Sequence, residues 1–348
     1  MKATDNIDAY KGLLIVLVVA GHSAGALMPL ASGLAGMCLN VLFESIYSFH
    51  MAAFFVLAGY LASRYGLGDT KPLNMFFLGK CRRLLVPYFI FGVASAVIWL
   101  AMFPETRETP WRPFLSLLHG GGWPNGMGFR CNSVLWFLPA MFMTVMAGRI
   151  LEGLIRRNIL IYVTLCIVLI PLTGITVRHF YTAYWPWALV VLPRWLSYYF
   201  AGRSIAVLSG KKDTLSSVSC GKWNILGIPV IVCVAMLVAW LHDNGWANKN
   251  SFSYIAWGAG ITGTVSSAGL VRYLTRPFWR RLGKCSLGVM LMHKFVIVAV
   301  VKLFSGIELS CWSFLPVLCM VIIVSVTASW MATEVILKRC PSLLGAKA

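Results

Sequence analysis

The chain has 348 residues, 59% of them hydrophobic and only 12% charged, with a mean hydropathy of +0.78. That composition excludes a soluble globular protein and leaves no stretch for a separate soluble domain. The net charge of +19 reads as membrane insertion and attraction to anionic lipid, and it argues against nucleic acid as a partner.

A helix needs about 20 apolar residues to cross roughly 30 Å of hydrocarbon. Ten such runs are expected, over 9–31, 40–63, 84–103, 134–151, 159–177, 186–208, 225–242, 252–271, 286–305 and 311–334. The predicted fold class is therefore all-α: a polytopic bundle of about ten transmembrane helices forming one domain over residues 1–348.

The first run carries Asp5 and Asp8 at its start and Lys11 and His22 within it, so it is expected to stay in the protein rather than be cleaved as a signal peptide. At about 100° and 1.5 Å per residue, the eleven steps from Lys11 to His22 make roughly three turns and about 16 Å, which puts both on one face. Ionisable groups in lipid are costly, so two on one stripe point to an interior polar path.

A short connection joins the first two helices, so residues whose numbers sum to about 70 are expected at one depth. On that register His22 faces Ser48, with His50 close by and Glu44 a turn nearer the outside, while Lys11 lies near Gly59 and Tyr60. A polar column of Lys11, Tyr60, His50, Ser48, His22 and Glu44 results, to which His293 and Lys294 in the ninth run could add. Each has a structural alternative: a single buried His is often only hydrogen-bonded, Glu44 suits a helix N-terminus, and Lys294 and Lys302 can snorkel or pair.

Further along, the basic stretches GKCRRLL (79–85) and RPFWRRLGK (276–284) are expected to lie along the inner headgroups. The connection from 104 to 133 holds Glu105, Glu108, His119, three consecutive glycines, Trp123, Asn125 and Asn132. It is either an acceptor-binding lid or a cap that closes the bundle. Asn132, Trp136, Trp185 and Trp187 fall near the outer face, where Trp185 and Trp187 read as interface anchors and Trp136 as a site residue.

With both termini cytoplasmic, 22 of the 30 Lys and Arg residues lie on the inner side, as the positive-inside rule requires. The ten cysteines contain no C-x-x-C and include mid-helix Cys166, Cys233 and Cys319, so they read as packing residues. No metal site is expected, and no disulfide is inferred.

The chain resembles the acyltransferase 3 family of bacterial integral membrane acyltransferases over nearly its whole length. The hallmark of a basic residue, ten intervening residues and a His reads Lys11 to His22 in KGLLIVLVVAGH. Four further blocks are similar: YSFHMAAFFVLAGYL (47–61), KCRRLLVPY (80–88), LWFLPAMF (135–142) and LGKCSLGVMLMH (282–293). The His50 block is most similar to the fucose 4-O-acetylase-like branch of polysaccharide O-acetyltransferases. Ala52 stands where that branch has Pro, Met290 where a Tyr is usual, and Lys11 where Arg is commoner. These departures bear on the identity of the acceptor.

The resemblance implies transfer of an acyl group, most often acetyl, from cytoplasmic acyl-CoA to a hydroxyl of an envelope carbohydrate or lipid-linked glycan, in the bacterial inner membrane. An alcohol attacking a thioester needs a base for its proton. His22 is the candidate, with Lys11 and His50 beside it as catalytic residues. Lys11, nearer the inner surface, would contact acetyl-CoA, and Arg82, Arg83, Arg280 and Arg281 its nucleotide end. His50 would orient His22, bind substrate or carry the acyl group transiently. Glu44, Ser48, Asn132, Trp136 and His293 are the candidate acceptor contacts. Two other classes fit the polar column: a transporter or exporter, against which stands the lack of an internal repeat, and a non-catalytic membrane sensor.

Overall fold

The computed structural model describes residues 3–64, 72–102, 111–120, 130–155, 158–180, 186–209 and 254–346. The run expected at 225–242 and most of the 104–133 connection, with Trp123 and Trp185, lie outside the described residues.

Among the described residues every extended element is helical. In chain order the helices are α1 (Ala3–Leu27), α2 (Gly33–Tyr47), α3 (His50–Arg64), α4 (Leu73–Lys80), α5 (Val86–Met102), α6 (Arg112–Leu118), α7 (Phe137–Leu154), α8 (Ile159–Phe180), α9 (Leu192–Leu208), α10 (Tyr254–Gly269), α11 (Pro277–Lys284), α12 (Ser286–Lys302) and α13 (Phe314–Arg339). The β-type pairing they contain is an isolated bridge between Ala31 and Leu309.

Six stretches are long and apolar enough to cross a membrane: Asp5–Leu30, Gly33–Arg64, Leu73–Ala101, Asn132–Leu154, Ile159–His179 and Phe314–Arg339. They answer to the expected runs one to five and ten. A seventh would be α11 with α12, which meet at a bend of 82°. The runs expected at 186–208 and 252–271 appear as the 17-residue α9 and the 16-residue α10. Each is shorter than the ~20 residues a straight crossing takes, and Arg194 and Arg203 interrupt α9.

Local sequence explains the breaks. At the end of α2 the Ser48 hydroxyl bonds the Ser45 carbonyl at 2.7 Å and the Phe49 amide reaches back only three residues, to the Ile46 carbonyl at 3.3 Å, before α3 starts at His50. A π-helical turn, Cys81–Leu85, separates α4 from α5. The π turn is the kind of irregularity that opens a helix locally.

The chain divides into two compact units, Met1–Phe54 with Tyr254–Val335 in one and Phe55–Leu208 with Ile336–Ala348 in the other. In the first, α1 is the central helix. A Cβ on Gly12 would strike the Trp279 carbonyl and one on Gly283 the Asp8 carbonyl, so α1 and α11 touch backbone to backbone. The Tyr10 hydroxyl lies 3.0 Å from both the Thr264 carbonyl and the Ser267 hydroxyl, which fastens α10 to α1. At the end of α1 remote from Lys11, Ser32 bonds Glu308 and the Leu309 amide bonds the Leu30 carbonyl at 2.6 Å.

The second unit is built on a reciprocal crossing of the same kind. Gly59 of α3 lies against the Tyr199 backbone, and Gly202 of α9 against that of Val56. Beside this seam Arg203 is ion-paired with Glu152, both buried, and its Nη2 donates to the Tyr162 hydroxyl at 3.4 Å. Removing one partner of such a pair leaves a charge without compensation, at a cost of about 3–5 kcal/mol. Glu152→Ala should therefore lower the denaturation midpoint of the detergent-solubilised protein sharply. Replacing both Glu152 and Arg203 by leucine should recover most of that loss.

Trp187 takes a structural place in this unit as well. Its amide donates to the His119 carbonyl at 2.9 Å and its indole to that of Leu118 at 3.0 Å, which fastens the end of α6. Trp187 and Ala188 adopt φ values of 60° and 57°, a strained region for residues with a side chain. These internal bonds differ from the interface anchoring expected of Trp187.

Candidate active site

The site is assembled where α2 runs close beside α1. Gly21 and Gly25 have no side chains to hold the helices apart, so a Cβ at Gly21 would lie 3.1 Å from both Ile46 and the Tyr47 ring, and one at Gly25 3.0 Å from the Phe43 ring. Between these glycines on the chain stands His22, and the close approach brings the last residue of α2 onto its ring. The Tyr47 hydroxyl lies 2.9 Å from His22 Nδ1 and 3.5 Å from Nε2.

Two more imidazoles complete the cluster. The His293 ring, on α12, has its centroid 5.2 Å from that of His22, and the His50 ring meets Tyr47 edge-on at 4.8 Å. Both are buried. His50 Nδ1 sits 2.7 Å from the Ile46 carbonyl and His293 Nδ1 3.0 Å from that of Val289. A carbonyl only accepts, so each Nδ1 carries a proton, and in the neutral ring each Nε2 offers a lone pair. His293 Nε2 is buried with no hydrogen-bond partner among the described residues.

The structure thus gathers His22, His50 and His293 in the first unit, as the sequence suggests, and centres them on Tyr47, which the sequence reading passes over. Ser48 was expected opposite His22, yet its hydroxyl is turned back on the Ser45 carbonyl. The register explains the difference, because Gly21 meets Tyr47 and Gly25 meets Phe43, pairs that sum to 68 rather than about 70. Glu44 lies one turn before Tyr47 on α2 and is part-buried.

Lys11 does not join the imidazoles. It sits three turns away on the unbroken α1, with its ammonium 3.2 Å from Asp8, so the anion that offsets its charge is on its own helix. Next to it Arg280 is 3.0 Å from Asp5. Arg281 is exposed on α11.

The other named residues belong to the second unit. Arg82 and Arg83 are both exposed, and Arg82 donates to the Ala346 carbonyl at 2.9 Å. Asn132 is buried, with its amide nitrogen 3.4 Å from the Ser95 hydroxyl. Trp136 has its ring 5.5 Å from that of Trp195, which in turn stacks on Phe55 at 4.5 Å. Both residues are thus built into helix packing.

Among the described residues no group of three or more His, Cys, Asp or Glu is placed to hold a metal ion. The cluster consists of proton acceptors and one phenol, a set suited to moving a proton on and off a hydroxyl.

Six stretches long and apolar enough to cross a membrane, with the imidazoles of His22, His50 and His293 gathered in the first unit, define a polytopic membrane protein. The model of the acyltransferase domain family matches residues 4–334, and the chain belongs to that family, the acyltransferase 3 family. Over 159 residues it is 30% identical to Nodulation protein NolL of Mesorhizobium japonicum, a match that covers 44% of this chain and 37% of that protein. No solved structure matches the chain.

Proposed function

We propose that the protein is a bacterial inner-membrane O-acyltransferase that moves an acetyl group from cytoplasmic acetyl-CoA to a hydroxyl of an envelope carbohydrate or its lipid-linked precursor. The observation that carries this reading is the meeting of His22 with Tyr47 and His293 in a chain of an acyltransferase family. His22 is the base. It takes the proton of the acceptor hydroxyl as that oxygen attacks the thioester carbonyl; the new C–O bond forms, the C–S bond breaks, and the departing CoA sulfur recovers the proton.

His293 and His50, with Nε2 lone pairs, accept hydrogen bonds from the hydroxyls of the acceptor, and Glu44 does so from the next turn. Lys11 binds the donor from the inner end of α1. Asp8 and Asp5 keep Lys11 and Arg280 oriented there, and exposed Arg281 of the same unit takes a phosphate of the nucleotide.

The test is release of free CoA by the purified protein from acetyl-CoA, with and without envelope glycan as acceptor. Acceptor-dependent release supports the reading, and ligand binding without any CoA release would assign the protein to the non-catalytic class. In the same assay Lys11→Ala should raise the KM for acetyl-CoA several-fold, on the order of one lost charge-assisted contact, with kcat near the wild-type value. A loss of kcat at unchanged KM would move Lys11 from donor binding to the chemistry.

A further inference from the structure

The connection between α5 and α7 returns to the interior of its unit. From Arg83 the chain runs to the end of α5 at Met102 without another charge, and Gly92 stands nine residues after the one and ten before the other. At about 1.5 Å per residue that is near the middle of roughly 30 Å of hydrocarbon. By Leu117 the chain is back at this depth: a Cβ on Gly92 would lie 2.2 Å from the Leu117 side chain, and the hydroxyl of Tyr88, one turn further from Met102, donates to the Leu117 carbonyl. α6 therefore ends at mid-depth, whichever side the connection starts from.

Backbone at that depth must find its hydrogen bonds in protein or in trapped water, because lipid offers none. The last carbonyls of a helix have no partner within it. Here three consecutive ones each receive a donor from another part of the unit: Leu117 from Tyr88, Leu118 from the Trp187 indole and His119 from the Trp187 amide. Gly120 follows with a φ of 92° and closes on the Trp187 backbone, where a Cβ would lie 2.7 Å from Cα. The strained turn at Trp187 and Ala188 thereby completes a helix that stops within the membrane.

Irregular backbone at such depth is either enclosed by protein or lines a water-filled cavity. His119 decides between the two. It is exposed, and its Nδ1 lies 2.9 Å from the Leu115 carbonyl. That nitrogen carries the proton, so in the neutral ring Nε2 offers a lone pair. A lone pair held against acyl chains would be costly, and the space this ring faces is therefore polar.

We propose that the connection between α5 and α7 is re-entrant, and that His119 at its turning point faces a water-filled recess which receives the hydroxyl-bearing acyl acceptor, with Nε2 taking a hydrogen bond from it. The acceptor contact rests on the acyltransferase reading, whereas the recess stands on the helix geometry alone. In its described part the connection is a wall inside the unit, neither a lid nor a cap laid across its end.

Val93 supplies the comparison. It follows Gly92, so it shares the depth, and it belongs to the exposed apolar stripe Ile90, Val93, Val97 on α5, which suits acyl chains. His119→Cys and Val93→Cys in nanodiscs are treated with a charged, membrane-impermeant methanethiosulfonate, and peptide mass spectrometry reads modification at the new cysteine alone. A thiol reacts as the thiolate, hence where water reaches it. His119→Cys should react at a rate within about tenfold of Asn158→Cys, an exposed position between α7 and α8, while Val93→Cys stays unmodified. Hydroxyl-radical footprinting of the wild-type protein repeats the comparison without a substitution, with oxidation expected at His119 and none at Val93. In the CoA-release assay His119→Leu should raise the KM for the envelope glycan roughly five- to tenfold, the order of one lost hydrogen bond, with the KM for acetyl-CoA unchanged.

His119 that is neither oxidised in the wild type nor modified as cysteine would overturn the recess. Reaction at both 119 and 93 would overturn the depth. Labelling as expected with an unchanged glycan KM for His119→Leu would overturn the acceptor contact. A wild-type protein without any acceptor-dependent release would instead remove the acyltransferase reading and leave the labelling result in place.

Discussion

His22→Ala should abolish acceptor-dependent CoA release while leaving the protein folded. The loss expected for removing a general base is about 10²- to 10⁴-fold, enough to take turnover to the background rate of thioester hydrolysis. Folding should survive for a local reason. The partner left behind is the Tyr47 hydroxyl, on a residue that is 36% accessible, so no fully enclosed polar group is stranded in the packed core. Gly21 and Gly25, which set the distance between α1 and α2, are untouched. Purified variant and wild type should therefore show the same elution profile and melting midpoint, with CoA release measured on both. Wild-type turnover by His22→Ala would make the cluster a structural feature and return the family chemistry to other residues.

Gly283→Ala should do the opposite and destroy the fold rather than the chemistry. A single added carbon at Gly283 would overlap the Asp8 carbonyl, and at the matching point Gly12 already touches the Trp279 carbonyl. Backbone cannot rotate out of the way as a side chain can, so α11 must move off α1. The usual cost of overpacking, about 1–3 kcal/mol, is a lower bound for a clash of this kind. That displacement would also break the Arg280–Asp5 pair and disturb the turn that carries Lys11. Fluorescence-detected size exclusion of a tagged protein should show loss of the monodisperse peak. Gly79→Ala is the control, because a Cβ there meets nothing within 4 Å. A normal peak for Gly283→Ala would mean that the two helices are not in backbone contact.

The apolar runs and the Lys11 to His22 spacing were legible because each depends on a short stretch of chain. Length and hydropathy alone locate α5, α7, α8 and α13 to within a few residues, whereas α1 and α2 begin about six or seven residues earlier than expected, at Ala3 and Gly33. The clustering of His50 and His293 with His22 was legible only as a set of depths. What the sequence could not supply was the rotation of each helix. Tyr47 and Ser48 are neighbours on the chain and point about 100° apart on a helix, so a register assumed at about 70, where the glycine contacts give 68, was enough to name Ser48 in place of Tyr47.

Asp8 shows a different kind of miss. It lies three residues before Lys11, a spacing that favours pairing on a helix. In the sequence it reads as evidence that the first run is no cleavable signal peptide, which leaves its pairing with Lys11 undrawn. The packing roles of Asn132, Trp136 and Trp187 were invisible for a third reason, since their partners Ser95, Trp195 and Leu118 are distant in sequence and carry no mark of the contact.

The carbonyl bonds that occupy Nδ1 of His50 and His293 also bear on what can be recognised beside them. Each neutral ring can then only receive a hydrogen, so the wall they form discriminates by hydrogen-bond polarity. Molecules rich in O–H groups gain contacts there, while the oxygens of esters or phosphates meet lone pair against lone pair. If the acceptor is held there as proposed, acylation removes the hydrogen that bonded it, and a finished ester would have less reason to stay than the alcohol that came in.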